Sequence, residues 1–358
     1  MNEGTPTTLY PFSYDRANGI VFGTSHFSIL KPEFDHPSTL VNMDLSIGYE
    51  SVVPEPCEEN FNLMFKAIVA NHQNSKVNDL RTDLGNADIV AWQSLLTTFA
   101  KISCNSYSEQ RDVKILAQRY NGVILLDEYP SFHHPIDPKV FYMGHNLRQI
   151  LTTSFDGKDH PSCSVDISKA CYLAQTKEFK TADDGSVRVF YTSKVDALKS
   201  PDSNEVIEIK THKATLNKYF YPEKGILYWS RGYFAGLKEI VMGLKDVYID
   251  NEDPNIKLNH KHRNNHPNIV QKIKILPTRQ IEQLTGINPE RINNYIAKAF
   301  LKIKQQFEDP NVTYVDMIIA YTNVRYEYEI KLIKHPKNYV PAFQPLPQEF
   351  LDSYPKTN

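Results

Sequence analysis

Apolar residues recur along this chain with two periods, and the alternation between them predicts the elements. Val206-Ile207-Glu208-Ile209-Lys210-Thr211 repeats every second residue, which predicts a short strand with Glu208 and Lys210 on one face. Val187 to Asp196 reads as a second strand, and the turn-rich segment between the two predicts a hairpin that sets Asp196 beside Glu208 and Lys210. Val113–Tyr120 and Val123–Leu126 flank Asn121-Gly122, the signature of a tight hairpin. Ala87–Ser103 reads as one long or broken strand, Glu239–Ile249 as a strand, and Val312–Tyr321 with Val324–Ile333 as an antiparallel pair around Thr322-Asn323.

Helical spacing appears in four places. Glu58–Val69 aligns Phe61, Met64, Phe65 and Ile68, and Pro289–Phe307 aligns Ile292, Tyr295, Ile296, Ala299 and Ile303. Lys224–Leu237 is aromatic and amphipathic. Pro138–Leu151 has Asp137 as N-cap and Pro138 at its first position, with Gly144 inside it predicting close backbone packing. The polar stretch Ser154–Asp184 predicts no element. Hairpins separated by helices predict an α+β fold, a central mixed β-sheet flanked by helices. The expected organisation is an irregular arm over residues 1–56, one domain over 57–335 and an irregular tail over 336–358.

Composition narrows the chemistry. A chain of 358 residues, 41% hydrophobic, can bury a substantial core, but its formal charge of −2 does not advertise nucleic-acid binding, so any RNA site must be a local patch. Pro254–Ile281 is such a stretch, with no Asp or Glu and with Lys257, Lys261 and Arg263 among its cations. It reads either as a solvated loop or as a phosphate contact. His260, His262 and His266 lack a fourth ligand for zinc. Four cysteines without a CxxC pair point to a reduced intracellular protein. The N-terminus has no basic and apolar leader pattern, and no apolar run approaches a membrane span, so neither secretion nor a membrane partner is expected.

Asp196 followed by Glu208-x-Lys210 on a neighbouring strand is a pattern with chemistry in it. Two carboxylates hold a hard divalent cation through oxygen, and the lysine orients an attacking water. An exposed strand face with an incidental ion pair gives the same pattern. Both readings stand on these residues alone.

Several stretches in order resemble the DXO family of eukaryotic decapping exoribonucleases, which includes the Rai-type partner of a nuclear 5′–3′ exonuclease. They are ADIVAWQSLLT (Ala87–Thr97), RYNGVILLDE (Arg119–Glu128), YMGHNLRQIL (Tyr142–Leu151), FYTSKVDA (Phe190–Ala197), VIEIKTHK (Val206–Lys213) and YWSRGYFAGLKEIVMGLK (Tyr228–Lys245). The resemblance implies a fold distantly like the D-(D/E)xK nucleases and a two-cation site that cleaves RNA 5′ ends or unfinished caps. It assigns Asp196, Glu208 and Lys210 to catalysis and Asp196 and Glu208 to Mg²⁺ or Mn²⁺. At four positions this chain departs from the family pattern: Gln93 for arginine, Arg148 and Lys194 for glutamates, and Arg231 for glutamine.

Two glutamate-to-cation changes shift the site by about four charge units. Unit charges ~4 Å apart interact by about 4 kcal/mol at an effective dielectric near 20, as much as millimolar metal binding is worth in total. The expected outcome is a degenerate site without a cofactor. It would bind RNA 5′ ends through Arg148, Lys194, Lys210 and Arg231, aided by Lys257, Lys261 and Arg263. The resemblance further implies a nuclear setting, with the cytoplasm as the alternative. Its implied partners are a nuclear 5′–3′ exonuclease or a chromatin-bound, piRNA-type silencing complex of the germline. An active metal-dependent exoribonuclease or decapping hydrolase and a pure protein-interaction scaffold are the competing readings.

Overall fold

The computed structural model describes residues 4–51, 61–75, 79–104, 112–129, 137–160, 165–167, 169–214, 216, 221–246, 268–322, 327–336, 338–341 and 346–356. Its strands run in chain order β1 (Thr7–Asp15), β2 (Gly19–Phe22), β3 (Ile29–Leu30), β4 (Ser38–Asp44), β5 (Ile89–Val90), β6 (Val113–Tyr120), β7 (Val123–Glu128) and β8 (Thr152–Thr153). They continue as β9 (Lys169–Lys180), β10 (Ser186–Val195), β11 (Ala197–Leu198), β12 (Val206–Ala214), β13 (Glu239–Asp246), β14 (Ile269–Pro277), β15 (Tyr314–Thr322) and β16 (Glu327–His335). The helices are α1 (Phe61–Asn74), α2 (Leu80–Asp83), α3 (Gln93–Ser103), α4 (Pro138–Leu151), α5 (Ile226–Ala235), α6 (Thr278–Thr285), α7 (Pro289–Gln306) and α8 (Gln348–Ser353).

The α+β reading holds, with the strands divided between two mixed sheets. Nine strands order as β16-β15-β6-β7-β5-β10-β9-β1-β2, and seven as β4-β14-β13-β12-β11-β3-β8. Helices α3, α5, α6 and α7 share one apolar core with residues from both sheets, including Ile115, Val189 and Met317 of the first and Ile240, Met242 and Leu276 of the second. Helices α1, α2 and α8 pack with Tyr120, Tyr172 and Phe190, while Leu147 and Leu151 of α4 pack with Ile207, Ile209 and Val241. Among the described residues, no helix is long and apolar enough to cross a membrane.

Local signals formed what they predicted. Asp137 accepts a hydrogen bond from the Lys139 amide at 2.8 Å, and α4 runs from Pro138 to Leu151. Asn121 and Gly122 both take positive φ, 43° and 78°, and β6 pairs with β7 across them. The turn between β15 and β16 lies outside the described residues, although the two strands pair throughout.

Five expectations are corrected. Ala87–Ser103 is only two residues of strand followed by α3. The stretch 154–184 contains β9, at 12 residues a long strand buried on both faces for most of its length. The expected irregular arm over 1–56 is regular where it is described: residues 4–51 supply β1 to β4, and β1 sits between β9 and β2. The tail after 336 adds α8, fastened where Tyr354 donates to Asp83 at 2.7 Å. Gly144 is not a close-packing glycine, since a Cβ there would meet nothing within 4 Å; the tight contact to α4 comes from Gly243, whose Cβ would lie 2.6 Å from Leu147.

Candidate functional site

Asp196 is the single residue between β10 of one sheet and β11 of the other. The expected hairpin is therefore shorter than predicted: β11, not β10, pairs with β12 through Ala197↔Ile207 and Leu198↔Val206. The outcome for Asp196 is the same. Its amide donates to Ile207 O at 3.0 Å, and its Oδ2 accepts from the Ile209 amide at 2.7 Å, which fixes the carboxylate beside β12. Asp196 is 5% and Glu208 7% exposed.

Cations surround these two carboxylates. Arg148 reaches Asp196 Oδ1 at 2.7 Å from α4. Lys210 Nζ lies 2.6 Å from Glu208 Oε1 and 3.8 Å from Asp196 Oδ2, and Arg231 of α5 approaches Glu208 at 4.0 Å. Burial pushes the Asp196 carboxyl up, but Arg148, Lys210, the Ile209 amide and Lys194 together hold it well below the usual carboxylate range.

These groups line a cavity of about 230 Å³. Alternation along β10 puts Thr192 and Lys194 on its wall with Asp196, and Tyr172 enters from β9 as the register partner of Lys194. The opposite wall is the start of α3, with Trp92, Gln93, Ser94 and Thr97. This helix has no side-chain cap at its N-terminus, and Gln93 instead donates to Arg231 O at 2.9 Å, tying α3 to α5. Thr97 Oγ1, Thr192 Oγ1, Glu208 Oε2 and Arg148 Nε are buried without a hydrogen-bond partner.

The sequence-derived site residues divide accordingly. Asp196, Glu208, Lys210, Arg148, Lys194 and Arg231 converge on one cavity. Lys257, Lys261 and Arg263 lie outside the described residues. Trp92, Ser94, Thr97, Tyr172 and Thr192 were missed as wall residues. Thr192 was within reach, two residues before Lys194 on a strand; Tyr172 was not, because it comes from β9.

A divalent cation does not suit this donor set. Arg148 occupies one oxygen of Asp196, Lys210 one oxygen of Glu208, and Lys194 adds positive charge to the same space. Glu208 Oε2 is the one oxygen of this pair left without a hydrogen bond, and it does not make a cation site alone. Among the described residues, no group of three or more His, Cys, Asp or Glu side chains is placed to hold a metal.

A second cavity, of about 290 Å³, lies on the other side of the Arg148–Asp196 pair. His145, three residues before Arg148 on α4, faces it and is 9% exposed. Burial, and after it Arg148, Lys194 and Lys210, lowers the His145 pKa to about 3 against the opposing pull of Asp196. Cys171, on the same wall, is a free thiol that burial pushes up to about 12.

A family model described as RAI1 like PD-(D/E)XK nuclease matches residues 4–252. The decapping and exoribonuclease protein of Bos taurus is 22% identical over 254 residues, covering 63% of this chain and 57% of the bovine protein, so this chain spans little more than half of that relative. Candida albicans Rai1, solved in complex with pU5-Mn²⁺, superposes with a TM-score of 0.67 at 14% identity, over 98% of this chain and 95% of its own. S. pombe Rai1 in complex with 3′-FADP gives 0.62 at 15% identity, over 92% and 93%. K. lactis Dxo1 in complex with manganese gives 0.60 at 12% identity, over 94% and 91%. At these identities the superpositions establish a shared fold.

Proposed function

The chain belongs to the RAI1-like PD-(D/E)XK nuclease family, and from that membership together with the charges in its cavity we infer that it binds the 5′ ends of RNA without hydrolysing them. This is the family that its ordered sequence stretches resemble. The observation that carries the reading is the 2.7 Å contact between Arg148 and Asp196. A guanidinium lies against the carboxylate that the nuclease pattern would give to a metal.

Charge supports the choice of ligand. Arg148, Lys194, Lys210 and Arg231 face Asp196 and Glu208 in one cavity, a formal excess of two positive charges. A terminal phosphate monoester carries about −1.5 to −2 at pH 7, close to that excess. The uncapped start of α3 adds backbone amides to the same wall, a favourable setting for an anion. Trp92, partly exposed on the same wall, offers aromatic surface for the first base, with buried Tyr172 behind it at 6.4 Å between ring centroids. Here the chain's own cations hold the phosphate that a metal would otherwise neutralise. Relatives solved with pU5 and with 3′-FADP support a nucleic-acid end as ligand. Shielding or channelling of nuclear transcripts, in a germline silencing setting, completes the proposal on the strength of the resemblance.

The test uses one RNA in two forms. Binding of 5′-phosphate RNA in EDTA is expected to exceed that of the 5′-hydroxyl form, and Mn²⁺ is expected to release no nucleotides. Nucleotide release that Glu208→Ala abolishes would establish the metal-dependent enzyme instead. Equal binding of both RNA forms would leave the scaffold reading.

A further inference from the structure

The cavity behind the Arg148–Asp196 pair has its own chemistry. We propose that it is a binding site for an uncharged nucleoside, separate from the phosphate pocket in front.

The argument begins with charge. The Asp, Glu, Lys and Arg side chains on this wall are Arg148, Lys169, Asp166 and Asp196, and they are already paired with one another. Arg148 holds Asp196 at 2.7 Å, and Lys169 lies 3.4 Å from Asp166. A phosphate placed here would have to break one of those pairs and face its carboxylate. The front cavity has a cationic excess and this one has none, so the two select different ligands.

Unpaired polar groups then say what kind of neutral ligand fits. Among the described residues no group hydrogen-bonds the His145 imidazole, which packs on the Phe141 ring at 4.5 Å, is nine-tenths buried and lines the cavity. Held neutral, its imidazole offers one donor and one acceptor. The hydrogen-bonding edge of a nucleobase carries adjacent donors and acceptors, which matches this set. His160 is already engaged, 3.2 Å from Thr152 Oγ1 and 3.4 Å from Ser28 Oγ, and frames the site without competing for the ligand.

Size and rim agree. About 290 Å³ is at the lower edge of small-molecule sites, room for a nucleoside and not for an oligonucleotide. Phe155 stands at the rim, exposed and apolar, on a turn held by the Ser154 hydroxyl on Asp156 at 2.6 Å and on Lys158 O at 2.9 Å. Its ring can cover the face of a base entering beside it.

The full chain is titrated calorimetrically with adenosine, guanosine, cytidine and uridine, and with inorganic phosphate. Saturable binding of at least one nucleoside is expected. His145→Phe should weaken it about tenfold, the loss of a buried hydrogen bond. Phe155→Ala, at the partly exposed rim, should weaken it as well. Arg231→Ala, in the front cavity, should leave it unchanged while weakening 5′-phosphate RNA, so failure of either site shows separately. Absence of saturable binding at millimolar nucleoside overturns the proposal. So does binding that survives Phe155→Ala and is lost in Arg231→Ala, which would place the nucleoside in front.

Discussion

Arg148 and Asp196 form a 2.7 Å ion pair that separates two cavities, the carboxylate 3% and the guanidinium side chain 20% exposed. Removing the arginine leaves a buried charge held by Lys210, at 3.8 Å, the Ile209 amide and the more distant Lys194. Arg148→Met should therefore destabilise the protein by about 3 kcal/mol. Arg148→Met with Asp196→Asn, which removes the charge, should recover most of that loss. Urea unfolding of the three proteins measures both, and equal losses in the single and double variants would contradict it.

His145 makes stability depend on pH. Its folded-state pKa, lowered to about 3, lies below the ordinary value near 6.5, so only the unfolded chain takes up the proton at mildly acid pH. The contribution is full above about pH 6.5 and is lost as pH falls, reaching about 2 kcal/mol by pH 5. His145→Phe should flatten the stability profile between these values. The remaining slope belongs in part to His160, which burial and then Lys31 shift in the same direction. An unchanged profile in the variant would show that His145 is not held neutral.

Two glycines near α4 should behave oppositely. Gly144→Ala meets open space within a helix and should stabilise by up to about 1 kcal/mol. Gly243→Ala drives a methyl to 2.6 Å from Leu147, on the helix that carries Arg148, and should cost about 1–3 kcal/mol. Thermal unfolding of the pair distinguishes them, and the reverse order would mean that α4 approaches its sheet elsewhere.

Phosphate contacts should appear in the salt dependence of RNA binding. Each contact to a single strand contributes about 0.7 to the slope of log affinity against log salt. Arg231→Ala should remove about one contact. The triple change of Lys257, Lys261 and Arg263 to Ala should remove up to about three. A slope unchanged by the triple variant returns that segment to a solvated loop.

What the sequence made legible was local. Asp137 and Pro138 start α4 where their capping chemistry places them, and Asn121-Gly122 makes its turn, because each acts on its own neighbours. Glu208 and Lys210 share a strand face for the same reason. The misreadings arose where tertiary contacts decide. Strand β9 carries Gln175 and Lys177, both buried, so a polar sequence hid an interior strand. Lys177 is accommodated because it donates to Gly4 O and lies 4.4 Å from the Tyr233 ring centroid. Helix α3 starts after Trp92, an N-cap without a capping side-chain hydrogen bond, and the β-branched pair Ile89–Val90 before it biased the whole stretch toward strand. Asp196 could be assigned to the site, but its place as the link between two sheets depended on pairings from β3 to β14.

The central claim is that the chain's own cations stand where a nuclease of this family would hold a divalent metal. Its most direct test is the unfolding temperature of the parent and of Arg148→Glu/Lys194→Glu, each with and without Mn²⁺. The double variant crowds four carboxylates and should be less stable than the parent in EDTA. Mn²⁺ should then raise its transition, by about 2.7 kcal/mol of stability at a hundred times the dissociation constant. The parent should show no shift. A parent stabilised by Mn²⁺, with the effect lost in Glu208→Ala, would contradict the account.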